Sequence, residues 1–346
     1  MADSLPATMA AVLLTGHGSY DCLSFSQVPR PVARRDEVVV RLGGAAVNNT
    51  DINLRTGWYA ASGRSGRDAA AGWMGDRVEF PRIQGADGAG RIVAVGADVD
   101  ASRVGERVLI DPIFRRGDAV QYFGSDTPGA FAEYVAVPSA NAVSIHSTLS
   151  DPELASFPCS YLAALHMVSR AAVRRDQTVL VTGASGGVGS AAVQWCRARG
   201  ARVYAIADAR KHAALNALGA ERVLARDASL VSALGVHAVD AVLDVVGGAA
   251  FGELLEVLRP QGHYAVAGAI GGPLVTLDLR TAYLKDLTLH GCTIPPVPLF
   301  AELVSAIERG ALRPLVAAAF PLRDLAAAQR AFECKAHLGK IVIVPG

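Results

Sequence analysis

Cysteine is scarce in this chain: five residues in 346, at positions 22, 159, 196, 292 and 334, with no Cys-x-x-Cys pair among them. An odd, scattered set excludes a disulfide framework and a structural zinc knuckle, and it fits a reducing cytoplasm. Net charge is almost absent, 33 Lys and Arg standing against 32 Asp and Glu. No broad basic field therefore exists to hold nucleic acid. Long apolar runs are also missing: the N-terminal MADSLPATMAAVLLTG is too brief for a signal core or a membrane-spanning helix, so no membrane partner is expected. There is no internal repeat and no low-complexity tract. What remains is 51% hydrophobic and 19% charged, enough for a large core and, at this length, for two domains.

Residues 9 to about 150 are short β-branched runs broken by Gly and Pro, such as EVVVRLGGAAV, GRIVAVGADV and AEYVAVP. They predict a compact all-β unit with a curved, partly closed sheet. Residues 56–82 are rich in Gly, Ala, Arg and Asp without a period, and read as a loop over a cleft. From Ser150 the texture changes. Ser150 is an N-cap candidate with Pro152 and Glu153 behind it, and apolar positions then recur at helical spacing. From Gln177 apolar strands alternate with helical segments, the pattern of a doubly wound parallel sheet. The tail from Leu299 carries two amphipathic helices and a final strand, GKIVIVP, which predicts a return into the first domain.

The strongest motif is VLVTGASGGVGSAAVQ, an apolar strand running through a Gly-rich turn into a helix. Gly183, Gly186, Gly187 and Gly189 let the main chain turn tightly and approach a diphosphate, while the helix N-terminus offers free N–H groups. Ser185 and Val188 lie in the same turn. Ala184 departs from a strict Gly-x-Gly-x-x-Gly spacing. The next strand, RVYAIADARK, bears on the choice of nicotinamide cofactor. A carboxylate at its end suits the ribose 2′-OH of NADH, and cations suit the 2′-phosphate of NADPH. Ala207 occupies the strand-end slot and is followed by Asp208, Arg210 and Lys211, with Arg226 placed to close over the same group. The basic residues favour NADPH over NADH, and Asp208 is the contrary sign. The loops at Val246–Gly247 and Gly268–Ala269–Ile270 follow later strands at the carboxyl edge, where such sheets bind ligands.

The stretches TGASGGVGSAAVQ, PCSYLAALHMV, AVNNTDINLRTGWY and FPRIQGADGAGRIVAVG resemble the medium-chain dehydrogenase/reductase superfamily, specifically its zinc-independent, quinone-oxidoreductase-like branch, and the likeness covers nearly the whole chain. The resemblance implies an α/β architecture: a GroES-like β-barrel catalytic domain over residues 1–150, completed by 300–346, and a Rossmann domain over 151–299, with the cofactor in the cleft between them. It implies a homodimer through the strand at Thr288. It also places Asn48 and Asp51 in the pocket below the cofactor, Tyr59 over the substrate and Lys340 at the diphosphate or pocket rim. Asn53 stands where the family has a further Tyr.

Zinc-dependent relatives hold their metal with a Cys, a His in a Gly-His-Glu triplet and a later Cys. Here the first slot falls in Val47–Asp51 without a Cys, the triplet reads Gly85-Ala86-Asp87, and only Cys159 matches, so no zinc is expected. Cys159 then reads as a core residue at a helix start. Without a Lewis acid, a conjugated acceptor that spreads charge after hydride addition is the easier substrate. Other chemistry is poorly supported. Ser185 formally fits a hydrolase Gly-x-Ser-x-Gly elbow, but no Asp and His can be assigned to it. His166 and Tyr161 read as interior helix residues. Arg64 and Arg67 read as solvated loop charges, or as contacts for an acidic substrate. The sequence thus predicts a zinc-independent, NADPH-dependent oxidoreductase acting on a small quinone or enone. The alternatives are a 2-enoyl-thioester or ketone reductase on the same scaffold, and a cofactor-binding sensor without turnover.

Overall fold

The computed structural model describes residues 5–59, 72–73 and 77–346; Arg64, Arg67 and much of the loop expected at 56–82 lie outside them. The chain divides into one unit of residues 1–159 with 314–346 and a second of residues 160–313. The divisions fall past the expected 150/151 and 299/300, and side chains account for both. The Arg107 guanidinium donates to Asp151 at 2.7 Å and to the Ser147 carbonyl at 2.9 Å, tying the helix Asp151–Ala155 to the β unit. Helix Pro298–Glu308 instead belongs to the second unit, where Arg199 pairs with Glu302 at 2.7 Å.

In the first unit the strand Glu37–Ala46 is the hub of a seven-stranded sheet. It pairs antiparallel with Asp87–Val95, with Tyr134–Pro138 and with the C-terminal strand Lys340–Val344. The last pairing is the predicted return of the tail. A three-stranded sheet and the hairpin Ile113–Arg116/Ala119–Tyr122 complete the unit. Valines at 38 to 40 are fully buried on consecutive positions, as a strand covered on both faces requires. Helix Asn49–Thr56 starts directly after the hub strand. Its N-cap Asn48 receives a return bond, the Asn48 N–H donating to the Asp51 carboxylate at 2.7 Å, the reciprocal half of a capping box.

The second unit is a six-stranded parallel sheet in the order Arg222–Leu224, Arg202–Ile206, Thr178–Val181, Val239–Asp244, Leu258–Val266, Thr288–Gly291. Strand order reverses between Thr178–Val181 and Val239–Asp244, the switch point beside which doubly wound sheets open their ligand crevice. The Ser150 cap forms as expected, with Ser150 and Glu153 in a capping box. The single helix expected after it is two, Asp151–Ala155 and Pro158–Arg170, because Pro158 disfavours the helical conformation of the residue before it. Among the described residues no helix is long and apolar enough to cross a membrane.

Candidate active site

Strand register assembles the polar centre of the first unit. Val342 faces Ala46, and the Val47 N–H donates to the Ile341 carbonyl at 2.9 Å, so Lys340 arrives beside Asn48. On the other flank Ala46 faces Asp87. Lys340 and Asp87 are 2% and 0% exposed and form an ion pair at 2.9 Å. Lys340 Nζ also donates to Asn48 Oδ1, and Asn48 Nδ2 donates to Asp87 at 2.8 Å. The remaining Asp87 oxygen accepts from the Cys159 N–H at 2.6 Å, where a carboxylate suits the start of helix Pro158–Arg170. Lys340 is therefore an interior cation of this cluster, not a residue of an open rim, because a buried Asp87 requires a counter-charge.

Asp51 lies one turn into the helix that Asn48 caps. Burial pushes its carboxyl up to about 7, against the opposing pull of the Asn48 N–H and the Lys340 charge. Burial likewise raises the Tyr59 phenol, whose oxygen lies 3.5 Å from Asn53 Nδ2. Tyr122 meets the Cys159 sulfur at 3.0 Å and stacks on Trp73 with ring centroids 4.2 Å apart. The Cys159 thiol is pushed up to about 12 by burial and by Asp87, so it is not a nucleophile near neutral pH. Asn48, Asp51 and Tyr59 thus share one unit with Lys340, as a buried proton-bearing group surrounded by fixed hydrogen-bond donors.

In the second unit Gly183 has φ +54°, a conformation that a side chain would strain, and this starts the turn. A methyl group at Gly189 would fall 2.2 Å from the Gly183 carbonyl, so only glycine lets helix Gly187–Ala198 pack this close to its strand. Gly186, Gly187 and Val188 remain accessible around the helix N-terminus. Lys211 Nζ donates to Ser185 Oγ at 3.3 Å, which brings the second strand's basic residues to the turn. Asp208 is held bidentately by Arg210 at 2.9 and 3.0 Å, and this bond keeps its carboxyl well below the usual range. Its charge is spent on a neighbour. Lys211, 8% exposed, is shifted down by burial and then by the nearby Arg226. These cations, crowded at the strand end, fit a phosphate group. Val246, Gly247, Gly268, Ala269 and Ile270 lie in the loops after the strands Val239–Asp244 and Leu258–Val266: Gly271 N–H donates to the Val246 carbonyl at 2.7 Å and joins them.

Residues 34–147 match a family model described as an alcohol dehydrogenase GroES-like domain, and residues 187–309 one described as a zinc-binding dehydrogenase. A solved structure of a candidate alcohol dehydrogenase from Sinorhizobium meliloti 1021 is 43% identical with a TM-score of 0.91, covering 99% of this chain and 98% of that one. This chain belongs to the medium-chain dehydrogenase/reductase superfamily. Members similar to it include the acryloyl-coenzyme A reductase of Sulfurisphaera tokodaii, 25% identical over 92% of this chain and 95% of that protein. A 2-octenoyl-CoA carboxylase reductase, solved with NADP and 2-octenoyl-CoA, is 25% identical with a TM-score of 0.86, covering 99% of this chain and 89% of that one. The chain spans only 15% of a phenolphthiocerol/phthiocerol polyketide synthase subunit from Mycobacterium tuberculosis, to which it is 29% identical.

The family model's zinc does not fit this dehydrogenase/reductase. Ala86 brings a methyl group to one ligand slot. Asn48 and Asp87 are engaged with Lys340, whose buried ammonium would repel a dication, and the Cys159 thiol resists ionisation. The dinucleotide does fit, because the turn supplies a close main-chain approach and free helical N–H groups. Two features of the site were not legible as such in the sequence. Asp87 is its hub, and only the strand register shows it. Thr50 Oγ1 is buried without a hydrogen-bond partner among the described residues, beside Asp51.

Proposed function

We propose that this protein is a zinc-independent, NADPH-dependent reductase of electron-poor carbon–carbon double bonds, with enoyl thioesters and enones as its substrates. One observation carries the cofactor reading: Lys211 sits on Ser185 of the Gly-rich turn beside Arg226, while Arg210 neutralises the Asp208 carboxylate that would oppose a 2′-phosphate. The acyl-CoA relatives support the substrate class. Bound NADPH supplies a hydride. Main-chain N–H groups of the turn hold its diphosphate, and the loops at Val246–Gly247 and Gly268–Ile270 border the rest of it. Asp51, with its carboxyl near 7, holds the proton that the α-carbon takes once hydride has reached the β-carbon. Tyr59 keeps its phenolic proton and donates a hydrogen bond to the acceptor's oxygen. Lys340 fixes Asn48 and Asp87 around them. The assembly is a homodimer joined through the edge strand Thr288–Gly291, and the setting is cytoplasmic.

The cofactor assignment is tested with Lys211→Ala. Removing one charge-assisted phosphate contact should weaken NADPH binding about tenfold or more and leave NADH within about twofold, read by fluorescence titration. Equal loss for both overturns it. An acceptor series tests the reaction: crotonyl- or octenoyl-CoA, a simple enone and a naphthoquinone. Turnover of the thioesters and the enone supports the proposal, whereas turnover of the quinone alone assigns the quinone-reductase alternative. NADPH binding without turnover of any acceptor assigns a sensor.

A further inference from the structure

The switch point of the parallel sheet carries a buried carboxylate that the reaction does not use. Asp244 ends the strand Val239–Asp244 and is 0% exposed. Its two oxygens accept from the Thr182 hydroxyl at 2.5 Å, from the Tyr264 hydroxyl, from the Val246 N–H at 2.8 Å and from the Gly247 N–H at 3.1 Å. Thr182 in turn accepts from the Val245 N–H at 3.0 Å. The main chain extends the reach of the network, since the Ala267 N–H donates to the Asp244 carbonyl at 3.1 Å.

Apart from Tyr264, which lies in the strand Leu258–Val266, these partners fall in three segments that the cofactor reading places at the dinucleotide. Thr182 is the last residue before the Gly183 turn. Val246 and Gly247 form the loop after the Asp244 strand, and Ala267 opens the loop that carries Gly268, Ala269 and Ile270. The segments already touch: a methyl group placed on Gly183 would meet Val245 and Val246 side chains at 2.9 and 3.1 Å. A carboxylate is the one side chain that accepts four donors converging from three directions, and ionised acceptors make the stronger hydrogen bonds. An amide replaces one acceptor with a donor and faces two N–H groups and two hydroxyls whose protons point at it. The hydroxyls can rotate away, and the loop N–H groups cannot.

We propose that Asp244 is a positioning residue for the cofactor site: it sets the Gly183 turn and the loops at 245–247 and 267–271 in register with one another, without itself touching substrate or cofactor. The inference rests on the cofactor reading above. The same strand supplies a matched control in Asp240, which is 7% exposed, lies at the opposite end, accepts from the Thr178 N–H at 2.7 Å and pairs with Arg259. Both aspartates bind the neighbouring strand, but only Asp244 lies at the carboxyl edge.

The experiment compares Asp244→Asn with Asp240→Asn by NADPH titration, thermal melting and steady-state kinetics. Asp244→Asn should raise the NADPH Kd and KM about tenfold while kcat at saturating NADPH stays within about threefold; Asp240→Asn should lower the melting temperature with NADPH affinity within about twofold of the parent. Thr182→Val, which deletes one donor and keeps the carboxylate, should weaken NADPH about three- to tenfold and serves if Asp244→Asn does not fold. NADPH affinity unchanged in Asp244→Asn and Thr182→Val, or lost equally in Asp240→Asn, overturns the inference. A parent protein that binds neither NADPH nor NADH overturns the cofactor reading and this inference together, which is a different result from variants that bind as the parent does.

Discussion

At the scale of single residues, lysine usage is informative. The chain contains four lysines, 211, 285, 335 and 340, and three of them are buried. Arginine supplies the rest of the positive charge, because its planar fork suits exposed and bidentate pairs, whereas a compact ammonium fits a small polar hole. Lys211 and Lys340 accordingly lie in the two proposed sites, Lys211 against Ser185 and Lys340 against Asp87. Asp51 was readable in the sequence, but its protonation was not, since that depends on burial. The carboxyl lies above its ordinary value of 3.8, near 7. The folded protein therefore binds this proton more tightly than the unfolded chain, and stability falls as pH rises from about 4 to about 7. Asp51→Asn should flatten that slope and gain on the parent by up to about 4 kcal/mol across the window, as measured by urea unfolding at several pH values. The same substitution should lower kcat and remove a decline in activity above about pH 7, because the proposed reaction takes its proton from that carboxyl. A variant that keeps the parent's rate and pH profile rules Asp51 out as the proton donor.

At the scale of elements, legibility divides between the two units for a physical reason. In residues 160–313 each strand is followed by its own helix and sheet contacts are largely between successive strands, so apolar periodicity and the Gly183–Gly189 turn expose the arrangement directly. In the β unit the strands are evident in EVVVRLGGAAV and GRIVAVGADV, but their neighbours are set by distant pairing. Nothing local in GKIVIVP announces that Val342 will face Ala46, or that Lys340 will therefore reach Asn48 and Asp87. The sequence accordingly suggested the tail's return while leaving Lys340 at a rim. Register also makes the pair costly to break. Lys340→Met leaves the fully buried Asp87 without its cation and should cost about 3–5 kcal/mol of stability. Asp87→Asn in the same chain should restore a substantial part, giving a coupling energy in a double-mutant cycle. Simple additivity of the two losses would show that the ion pair does not govern the register.

At the scale of the whole molecule, the second unit's sheet ends at Arg222–Leu224 on one side and at Thr288–Gly291 on the other, and the second edge bears on assembly. Thr288–Gly291 pairs with Leu258–Val266 and ends the strand order, so its outer N–H and C=O groups have no strand partner among the described residues. An open edge, even one of four residues, can pair with another chain unless it is covered or blunted. The surroundings add apolar surface: Leu274, Leu279, Tyr283, Leu284 and Val297 are each more than 60% exposed, and all fall between residues 270 and 297. Scattered exposed leucines need no explanation, but this concentration within one stretch next to an open edge does. Antiparallel pairing of this strand with its copy across a two-fold axis would satisfy the edge and place both apolar stretches against each other, as an isologous interface requires. Light scattering at micromolar concentration should therefore give twice the chain mass. Leu284→Glu with Leu289→Lys should yield a monomer, because each copy would bring its new charges into the same desolvated interface. The Gly183 turn and the Asp244 network lie within a single chain, so the monomer should retain NADPH binding. A parent protein that runs as a monomer, or a double variant that remains a dimer, places the contact on another face of the molecule.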